Sequence, residues 1–393
     1  MSTPPDFVLR RLEGIRSQGR FRSPPVLDGS GSVRRRVEGR DVLVFCSNDY
    51  LGLRNDPRVI RAAAAAVERW GAGSGSSRLI AGSLPIHRSL EEELAEWLGV
   101  EDALVCSSGY QANLALLQGL AGPEDRILSD ALNHASLIDG CRLSRAASLV
   151  LPHGDVEALR LALAQPVEGE SFVLGEGLYS MDGDQAPLEA WVAAAAETGA
   201  HVLVDEAHAV GVLGPEGRGA CAKAGVADDV LARVGTFGKA FGSHGAFIAT
   251  DAATRELLVN SGRTYIFTTG LPPAALGAAR AALRIVRADE GVELRARLRV
   301  VAERFREGLA GLGLEVLGEA GLPILPVVVG EEAEAMTLYR ALLDEGIYAM
   351  AIRPPTVPVG TCRLRFTVSA GHGAEMVDQA LAALQRALNL TRG

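Results

Sequence analysis

The middle of the chain alternates between two patterns of apolar and polar residues. Short apolar runs typical of strands are followed by longer segments whose apolar residues recur every three to four positions, as in helices. The strand-like runs are ALVCSSGY (103–110), DRILSD (125–130), SFVLGEG (171–177), HVLVDEA (201–207) and GAFIAT (245–250), and the helical segments include QANLALLQGL (111–120) and PLEAWVAAAAETG (187–199). This alternation predicts a mostly parallel sheet with helices on both of its faces.

The two ends of the chain have different patterns from the middle. Residues 5–18 have the spacing of an amphipathic helix, and a loop rich in Pro, Gly and Ser follows. From residue 271 the pattern predicts long helices with a break at 288–291, and then shorter apolar runs and helices. We therefore predict an N-terminal arm (1–45), a large domain (46–284) and a smaller α+β domain (285–393).

Composition and charge exclude several classes of protein. The formal net charge of −9 disfavours a nucleic-acid partner, which calls for a basic surface. No apolar run approaches the roughly 18 residues of a membrane span, and the N-terminus lacks the apolar core of a signal peptide, so we expect a cytoplasmic protein without a membrane partner. The five cysteines are scattered without a CxxC pair, which argues against disulfides and structural zinc.

Residues with polar side chains, and one glycine, follow the predicted strands at the end where ligands bind in sheets of this kind. They are Ser107, Ser108, Gly109 and Tyr110 after the first run, then Asn133 and His134, then Glu176 and Ser180, and then Asp205 and His208. Because the carboxyl ends of parallel strands meet at one edge, we expect these residues to converge, together with Lys239, which precedes the last run.

Lys239 is unusual because the chain avoids lysine. Of its 39 basic residues only Lys223 and Lys239 are lysines, and Lys239 lies in the glycine-rich stretch GTFGKAFGSHGAF. A desolvated lysine amine can lose its proton, whereas an arginine stays charged. A neutral amine at this place points to a Schiff base with an aldehyde, although a surface lysine retained by chance is the alternative.

The single residues also allow plainer interpretations. Asp205 alone fits a structural cap, His134 and His208 fit hydrogen-bonded core histidines, and Ser180 fits a turn hydroxyl. The letters DEAH at 205–208 are found in helicases, but the chain lacks the GxxxxGK[ST] loop that such enzymes need. GAGSGSS (71–77) follows a helical run rather than a strand, no GxSxG motif occurs, and no further ligands surround Asp205 for a metal.

An aldehyde such as pyridoxal phosphate would give each of these residues a role. An ionised Asp205 would keep the ring nitrogen protonated, and His134 would stack on the ring. Ser108, Gly109 and Tyr110 at the start of a helix would bind the phosphate. His208 and Ser180 would reach the phenolic oxygen.

Seven segments, in the same order, resemble the α-oxoamine synthases, a fold-type I family dependent on pyridoxal phosphate. They are CSNDYLGL (46–53), SSGYQAN (107–113), NHASLIDG (133–140), EGLYSMDGDQAPL (176–188), VDEAHAVGVLGPEGRG (204–219), TFGKAFG (236–242) and IRPPTVPVGTCRLRFT (352–367). The resemblance implies a mostly parallel seven-stranded sheet in the large domain, a smaller α+β C-terminal domain and pyridoxal 5'-phosphate as cofactor.

The resemblance also assigns residues to roles. It implies that Lys239, His134 and Asp205 are catalytic. It gives the cofactor contacts as Lys239, Ser108, Gly109, Tyr110, His134, Ser180, Asp205, His208, Thr236, Thr268 and Thr269. It gives the substrate contacts as Arg22, Asn48, His134, Thr356 and Arg365, with Arg20 as the alternative to Arg22. It further implies a homodimer in which Thr268 or Thr269 reaches the neighbour's cofactor phosphate, and it implies no metal.

Within the family, IRPPTVP and the following RLR are most similar to members that join L-alanine to a pimeloyl thioester. Such a reaction releases CO2 and the free thiol of coenzyme A or a carrier protein. Glycine C-acetyltransferase and 5-aminolevulinate synthase, which use glycine, are the alternatives, and a non-catalytic protein of the same fold is a third. We expect the alanine-using activity.

Overall fold

The structure is a computed structural model that describes residues 4–18 and 20–392. The helices are α1 (Asp6–Ser17), α2 (Pro57–Trp70), α3 (Pro85–Leu98), α4 (Gly109–Leu120), α5 (Ala135–Ser144), α6 (Val156–Leu163), α7 (Leu188–Ala196), α8 (Ala220–Ala224), α9 (Ala252–Ser261), α10 (Arg263–Ile266), α11 (Pro273–Val286), α12 (Asp289–Gly311), α13 (Glu332–Asp344) and α14 (Ala374–Arg392). The strands are β1 (Leu27–Asp28), β2 (Arg34–Val37), β3 (Arg40–Val44), β4 (Asp102–Cys106), β5 (Arg126–Asp130), β6 (Ala147–Leu151), β7 (Ser171–Glu176), β8 (His201–Asp205), β9 (Ala232–Thr236), β10 (Ala246–Thr250), β11 (Ile324–Gly330), β12 (Ile347–Tyr348), β13 (Met350–Ile352) and β14 (Cys362–Thr367).

A seven-stranded sheet forms the centre of the molecule, with the strand order β4-β10-β9-β8-β7-β5-β6. Strands β9, β8, β7, β5 and β6 are parallel, whereas β10 runs antiparallel to both β4 and β9. The sheet is therefore mostly parallel, as predicted. Since β10 is reversed, the turn between β9 and β10 lies at the edge where the parallel strands end.

Helices cover both faces of this sheet. One face packs against buried side chains from α2, α3 and α11. The other face packs against the apolar sides of α4 and α5. Helices α2 and α11 approach each other closely, since a Cβ atom on Gly277 would come within 2.4 Å of the carbonyl oxygen of Ala62. The alanine-rich segment of α2 and this glycine thus bring two helices together behind the sheet.

Two smaller sheets lie outside the central one. β11, β14 and β13 form a three-stranded antiparallel sheet, and β1, β2 and β3 form another that continues through the parallel strand β12. The second sheet joins residues near the N-terminus to the C-terminal part of the chain. The domain boundaries at residues 45 and 284 stay a prediction.

The helical predictions for the two ends match the structure. The predicted helix at 5–18 corresponds to α1, and the predicted break at 288–291 falls where α11 ends and α12 begins. All five cysteines are free, and four of them are buried. Among the described helices, none has both the length and the apolar character needed to cross a membrane.

Candidate active site

The carboxyl ends of the central strands bring the predicted residues to one edge of the sheet. Glu176, the last residue of β7, is paired in register with Asp205, the last residue of β8. At the reversed strand, Ala246 of β10 lies opposite both Thr236 of β9 and Cys106 of β4. The turn that carries Lys239 and the start of α4 therefore flank the same edge.

Asp205 is a buried carboxylate held by two neutral donors. It is 7% exposed, and it accepts hydrogen bonds from Asn113 Nδ2 at 2.7 Å and from the backbone nitrogen of Ala207 at 2.8 Å. None of the ion pairs found in residues 4–18 and 20–392 involves it. A buried anion in this state favours a cationic partner.

Asn113 links Asp205 to His134, and the sequence analysis gave it no role. This residue of α4 is 1% exposed, and its Nδ2 also donates to Ser136 Oγ at 2.9 Å. Ser136 Oγ in turn lies 2.7 Å from His134 Nδ1. Helix α4 also contains two glutamines (GYQANLALLQGL), so the local sequence does not distinguish Asn113, and its burial is seen only in the fold. An asparagine there must find buried partners.

His134 lies at the N-terminus of α5. The residue is exposed, but hydrogen bonds with Ser136 hold its ring in place. Ser136 contacts Nδ1 through its hydroxyl and donates from its backbone nitrogen at 3.3 Å. The ring of Tyr110 meets the imidazole edge to face at a centroid distance of 6.3 Å. Desolvation by the surrounding atoms lowers the pKa of His134, against a smaller raising effect of Asp205, so the neutral imidazole is favoured.

Lys239 lies in the turn between β9 and β10. Burial of its amine lowers the pKa to about 8, although the charges of Asp205 and Glu176 act in the opposite direction. Thr236 shapes the start of this turn, since its Oγ1 donates to the carbonyl oxygen of Gly245 at 2.9 Å and accepts from the nitrogen of Gly238 at 3.1 Å. The turn thus holds an amine that loses its proton more readily than an ordinary lysine.

Glu176 is a second buried carboxyl group close to this amine. It is 3% exposed, and its Oε1 has no hydrogen-bond partner among the described residues. Burial and the nearby charge of Asp205 raise its pKa to about 8, and Lys239 partly offsets the rise. The sequence placed Glu176 at a strand end without giving it a function.

His208 is held by a residue that the sequence analysis did not single out. Its Nδ1 lies 2.7 Å from the hydroxyl of Tyr50, a fully buried side chain. Burial, and to a lesser extent the positive charges of Lys239 and Arg365, lowers the pKa of His208 well below its ordinary value. His208 is therefore a neutral imidazole within reach of the lysine turn.

The first turn of α4 is where the sequence analysis predicts an anion site. Ser108 caps this helix, its Oγ accepting from the backbone nitrogen of Gln111 at 3.2 Å. The neighbouring Ser107 Oγ donates to the carbonyl oxygen of Thr269 at 3.0 Å, which places the 268–269 segment beside the same helix start in one chain. Free backbone N–H groups at a helix start suit a phosphate.

Arg365 approaches the site from β14. It is 7% exposed, its Nε donates to the carbonyl oxygen of Ser180 at 2.5 Å, and its Nη1 lies 3.5 Å from Asn48 Oδ1. Asn48 in turn accepts from the hydroxyl of Tyr50 at 3.2 Å. The structure thus brings Arg365, Asn48 and Ser180 together.

Arg22 and Thr356 lie farther out, on exposed segments. Arg22 lines an open cavity of about 380 Å³ together with Leu12, Ile15, Arg20, Phe21 and Pro355. Thr356 follows Pro355 directly and is exposed. The arm and the IRPPTVP segment are therefore neighbours, but no hydrogen bond between described residues joins Arg22 or Thr356 to Lys239.

Comparisons with known proteins agree with this geometry. Residues 40–384 match the family described as aminotransferase class I and II. An 8-amino-7-oxononanoate synthase from Geobacter sulfurreducens is 48% identical over 380 residues, covering 96% of this chain and 97% of that protein. The enzyme of the same name from Anaeromyxobacter dehalogenans is 47% identical over 384 residues, covering 98% and 96%.

Solved structures show the same fold. A serine palmitoyltransferase from S. paucimobilis, with a bound PLP–myriocin aldimine, has a TM-score of 0.93 at 33% identity and covers 98% of both chains. An 8-amino-7-oxononanoate synthase from Francisella tularensis has a TM-score of 0.78 at 29% identity, covering 90% of this chain and 99% of that one.

These similarities confirm the expected fold class, a fold-type I transferase with a mostly parallel seven-stranded sheet and a smaller C-terminal part. They also confirm that the protein is an enzyme of acyltransferase type and that its cofactor is pyridoxal phosphate. The chain therefore belongs to the aminotransferase class I and II family, and within it to the α-oxoamine synthases.

Proposed function

We propose that this enzyme condenses L-alanine with a pimeloyl thioester to give 8-amino-7-oxononanoate, CO2 and the free thiol, a step of biotin synthesis. The name shared by its curated relatives supports the substrate pair. The observation that carries the chemistry is Lys239, whose amine has a pKa of about 8 and lies within electrostatic reach of Asp205 and Arg365.

Three features of this chain fit the cofactor. Asp205 is a buried carboxylate with two neutral donors, which suits a protonated ring nitrogen. Lys239 is a desolvated amine, which suits attachment to an aldehyde. The start of α4, capped by Ser108, suits a phosphate. Once bound, pyridoxal phosphate supplies an electron-withdrawing ring that stabilises negative charge on the amino-acid Cα.

Lys239 serves as both the attachment point and the base. Because burial lowers its pKa to about 8, this amine loses its proton closer to neutral pH than an ordinary lysine does. With the amino acid bound beside it, the free amine of Lys239 would act as the base that removes the Cα proton. Thr236 stabilises the turn through its hydrogen bonds with the backbone of Gly238 and Gly245.

Arg365 binds the carboxylate of the amino acid. Its guanidinium is oriented by the carbonyl oxygen of Ser180 and by Asn48, so the remaining N–H groups can face the substrate. Holding the carboxylate fixes which bond at Cα is aligned for reaction. Arg22 and Thr356, on the outer segments, contact the acyl donor.

His134 donates a hydrogen bond to the carbonyl oxygen of the incoming thioester. The backbone nitrogen of Ser136 donates to His134 Nδ1 at 3.3 Å, which makes Nδ1 an acceptor, so the Ser136 hydroxyl at 2.7 Å also donates to it. With Nδ1 as an acceptor, the neutral ring carries its proton on Nε2. His208 and Ser180 bind the phenolic oxygen of the cofactor in this scheme.

The proposal includes a cytoplasmic homodimer with an active site at the interface. Ile80 is 81% exposed and Phe267 is 72% exposed, on two segments joined by the β-bridge between Ser77 and Thr269. Apolar side chains at the edge of the site favour a subunit contact there. Thr268 or Thr269 would then reach the phosphate in the neighbouring subunit.

Product analysis with paired substrates tests the proposed function. Purified holoenzyme is supplied with L-alanine or glycine and with pimeloyl, acetyl or succinyl thioesters, and CO2 and amino ketone are measured. We expect turnover to be fastest with L-alanine and a pimeloyl thioester, and comparing pimeloyl-CoA with a pimeloyl-carrier protein identifies the donor. Preference for glycine with acetyl-CoA or succinyl-CoA would instead assign one of the sister activities.

A further inference from the structure

His153 lies between two carboxylates outside the set of residues discussed so far. It follows β6, and its Nδ1 is 2.9 and 3.0 Å from the two carboxylate oxygens of Asp130. On the other side of the ring, Nε2 is 2.6 Å from Asp184 Oδ2. Because both ring nitrogens face carboxylate oxygens, both must donate, and the ring is an imidazolium.

The carboxylate of Asp130 is held in a fixed position by the main chain. It is the last residue of β5 and 5% exposed, and it also accepts from the backbone nitrogens of Leu132 at 2.8 Å and Gly154 at 2.9 Å. The titratable groups that face the ring are Asp130, Asp184 and Tyr179, whose ring meets the imidazole edge to face at 4.5 Å. The two carboxylates raise the pKa of His153 to about 10, so the imidazolium persists at neutral pH.

Asp184 closes the turn that carries Ser180. The backbone nitrogen of Tyr179 donates to the carbonyl oxygen of Asp184 at 2.9 Å, and that of Gly183 donates to Tyr179 at 3.0 Å. On its opposite side the turn meets the β14 sheet, where Arg365 donates to the carbonyl oxygen of Ser180. The turn 179–184 thus lies between the His153 bridge and Arg365.

Further contacts make the turn a connection between the central sheet and the β11–β14 sheet. Arg363 pairs with Asp182, and the backbone nitrogen of Glu319 donates to the carbonyl oxygen of Gly183 at 3.1 Å. A shift of the turn on the His153 side would therefore be transmitted to the residues around Arg365.

We propose that His153 is a positioning residue whose imidazolium, bridging Asp130 and Asp184, holds the turn 179–184 so that Ser180 and Arg365 keep the geometry for binding the amino acid. The proposal rests on the proposed function in so far as Arg365 binds the substrate carboxylate. His153 touches neither substrate nor cofactor in this account.

The substitutions His153→Asn and Asp184→Asn test the bridge, and His201→Asn serves as the matched control. His201 is also a histidine beside a carboxylate, but its one side-chain hydrogen bond to a described residue, with Glu170 at 3.2 Å, is exposed. His153→Asn removes the charge and one of the two bonds. Asp184→Asn keeps an oxygen acceptor while removing one charge, so its effect should be smaller.

Two measurements on the holoenzyme, the KM values for the substrates and amide hydrogen exchange, test the effect of these substitutions. We expect His153→Asn to raise the KM for L-alanine about tenfold or more, with a smaller change in the KM for the acyl thioester. Amide hydrogen exchange in the peptide 177–187, measured without substrate, should rise several-fold, while His201→Asn leaves both values unchanged.

The proposal is overturned if His153→Asn folds and keeps the wild-type alanine KM and the wild-type exchange in 177–187. If His153→Asn does not fold, unchanged values in Asp184→Asn overturn it equally. Failure of the wild-type enzyme to use L-alanine would contradict the proposed function alone. The hydrogen-exchange measurement needs no substrate, so it would still test the His153 bridge in that case.

Discussion

Asn113 Nδ2 donates a 2.7 Å hydrogen bond to Asp205 Oδ2, and both side chains are almost completely buried. The same amide group bonds Ser136, which holds His134. One asparagine on α4 therefore connects the proposed partner of the ring nitrogen with the imidazole proposed to lie on the ring face.

Replacing Asn113 tests this connection. Asn113→Ala leaves Asp205 with one donor and Ser136 without its amide partner, so we expect the free energy of unfolding to fall by about 1–3 kcal/mol. Cofactor affinity should also fall. Urea unfolding and titration of the apoenzyme with pyridoxal phosphate measure the two effects.

Asn260→Ala is the matched control for this change. Asn260 lies on an exposed part of α9 and bonds only the carbonyl oxygen of Glu256, at 2.8 Å, among the bonds described. We expect little change in either quantity. Equal effects of the two substitutions would argue against a special role for Asn113.

The lowered pKa of Lys239 predicts how cofactor uptake depends on pH. Only the neutral amine attacks an aldehyde, and the pKa is about 8 rather than the usual 10.5. The rate at which apoenzyme takes up pyridoxal phosphate should therefore rise with pH and level off above about 8. N-acetyl-lysine under the same conditions corrects for titration of the cofactor itself.

Glu176 supplies a second arm of this experiment. With a pKa of about 8, Glu176 ionises over the same pH range as Lys239, and its ionised form raises the pKa of the lysine, so Glu176→Gln should move the midpoint of the uptake curve to lower pH. A midpoint near 10 in wild type, or an upward shift in the variant, would contradict the electrostatics described for this site.

The ion pair between Arg78 and Glu91 predicts a large effect on stability. Glu91 is fully buried, and its carboxylate accepts from Arg78 at 3.0 and 3.3 Å and from the backbone nitrogen of Val105 at 3.0 Å. Glu91→Gln leaves a buried guanidinium without its counter-charge, so we expect a loss of about 3–5 kcal/mol in unfolding free energy.

Glu92→Gln makes the same change one position away. Glu92 is an exposed residue that pairs with Arg88 one helical turn earlier. Surface pairs of this kind contribute little, so denaturant unfolding should place this variant close to wild type. Similar midpoints for both variants would show that the Arg78–Glu91 pair does not stabilise the fold.

Much of the central sheet could be predicted from apolar patterns, but two strands could not. Strand β6 (ASLVL) is apolar in sequence, but it lies at the edge of the sheet with four of its five residues exposed, so its position could not be read from the apolar pattern. Strand β9 contains Arg233 and Gly235. A Cβ atom on Gly235 would come within 2.1 Å of the ring of Phe247 on the neighbouring strand β10. The glycine is therefore required by a contact between strands, which the local sequence pattern does not show.

The site shows the same division between local and tertiary signals. Asp205 and Glu176 could be found because they end apolar runs, and Lys239 because lysine is so rare in this chain. Asn113, Tyr50 and His153 have no local signal of function, since their partners lie 92, 158 and 31 residues away in sequence. Only the folded chain brings those pairs together.

The most direct test of the central claim is to locate the lysine that carries the cofactor. Holoenzyme is reduced with borohydride, digested and analysed by mass spectrometry, using wild type, Lys239→Ala and Lys223→Ala. Lys223 is the matched control, since it is the one other lysine of the chain and is exposed. We predict a pyridoxyl label on the peptide of Lys239 in wild type and Lys223→Ala, and neither label nor turnover in Lys239→Ala. A label on Lys223, or turnover in Lys239→Ala, would contradict the account.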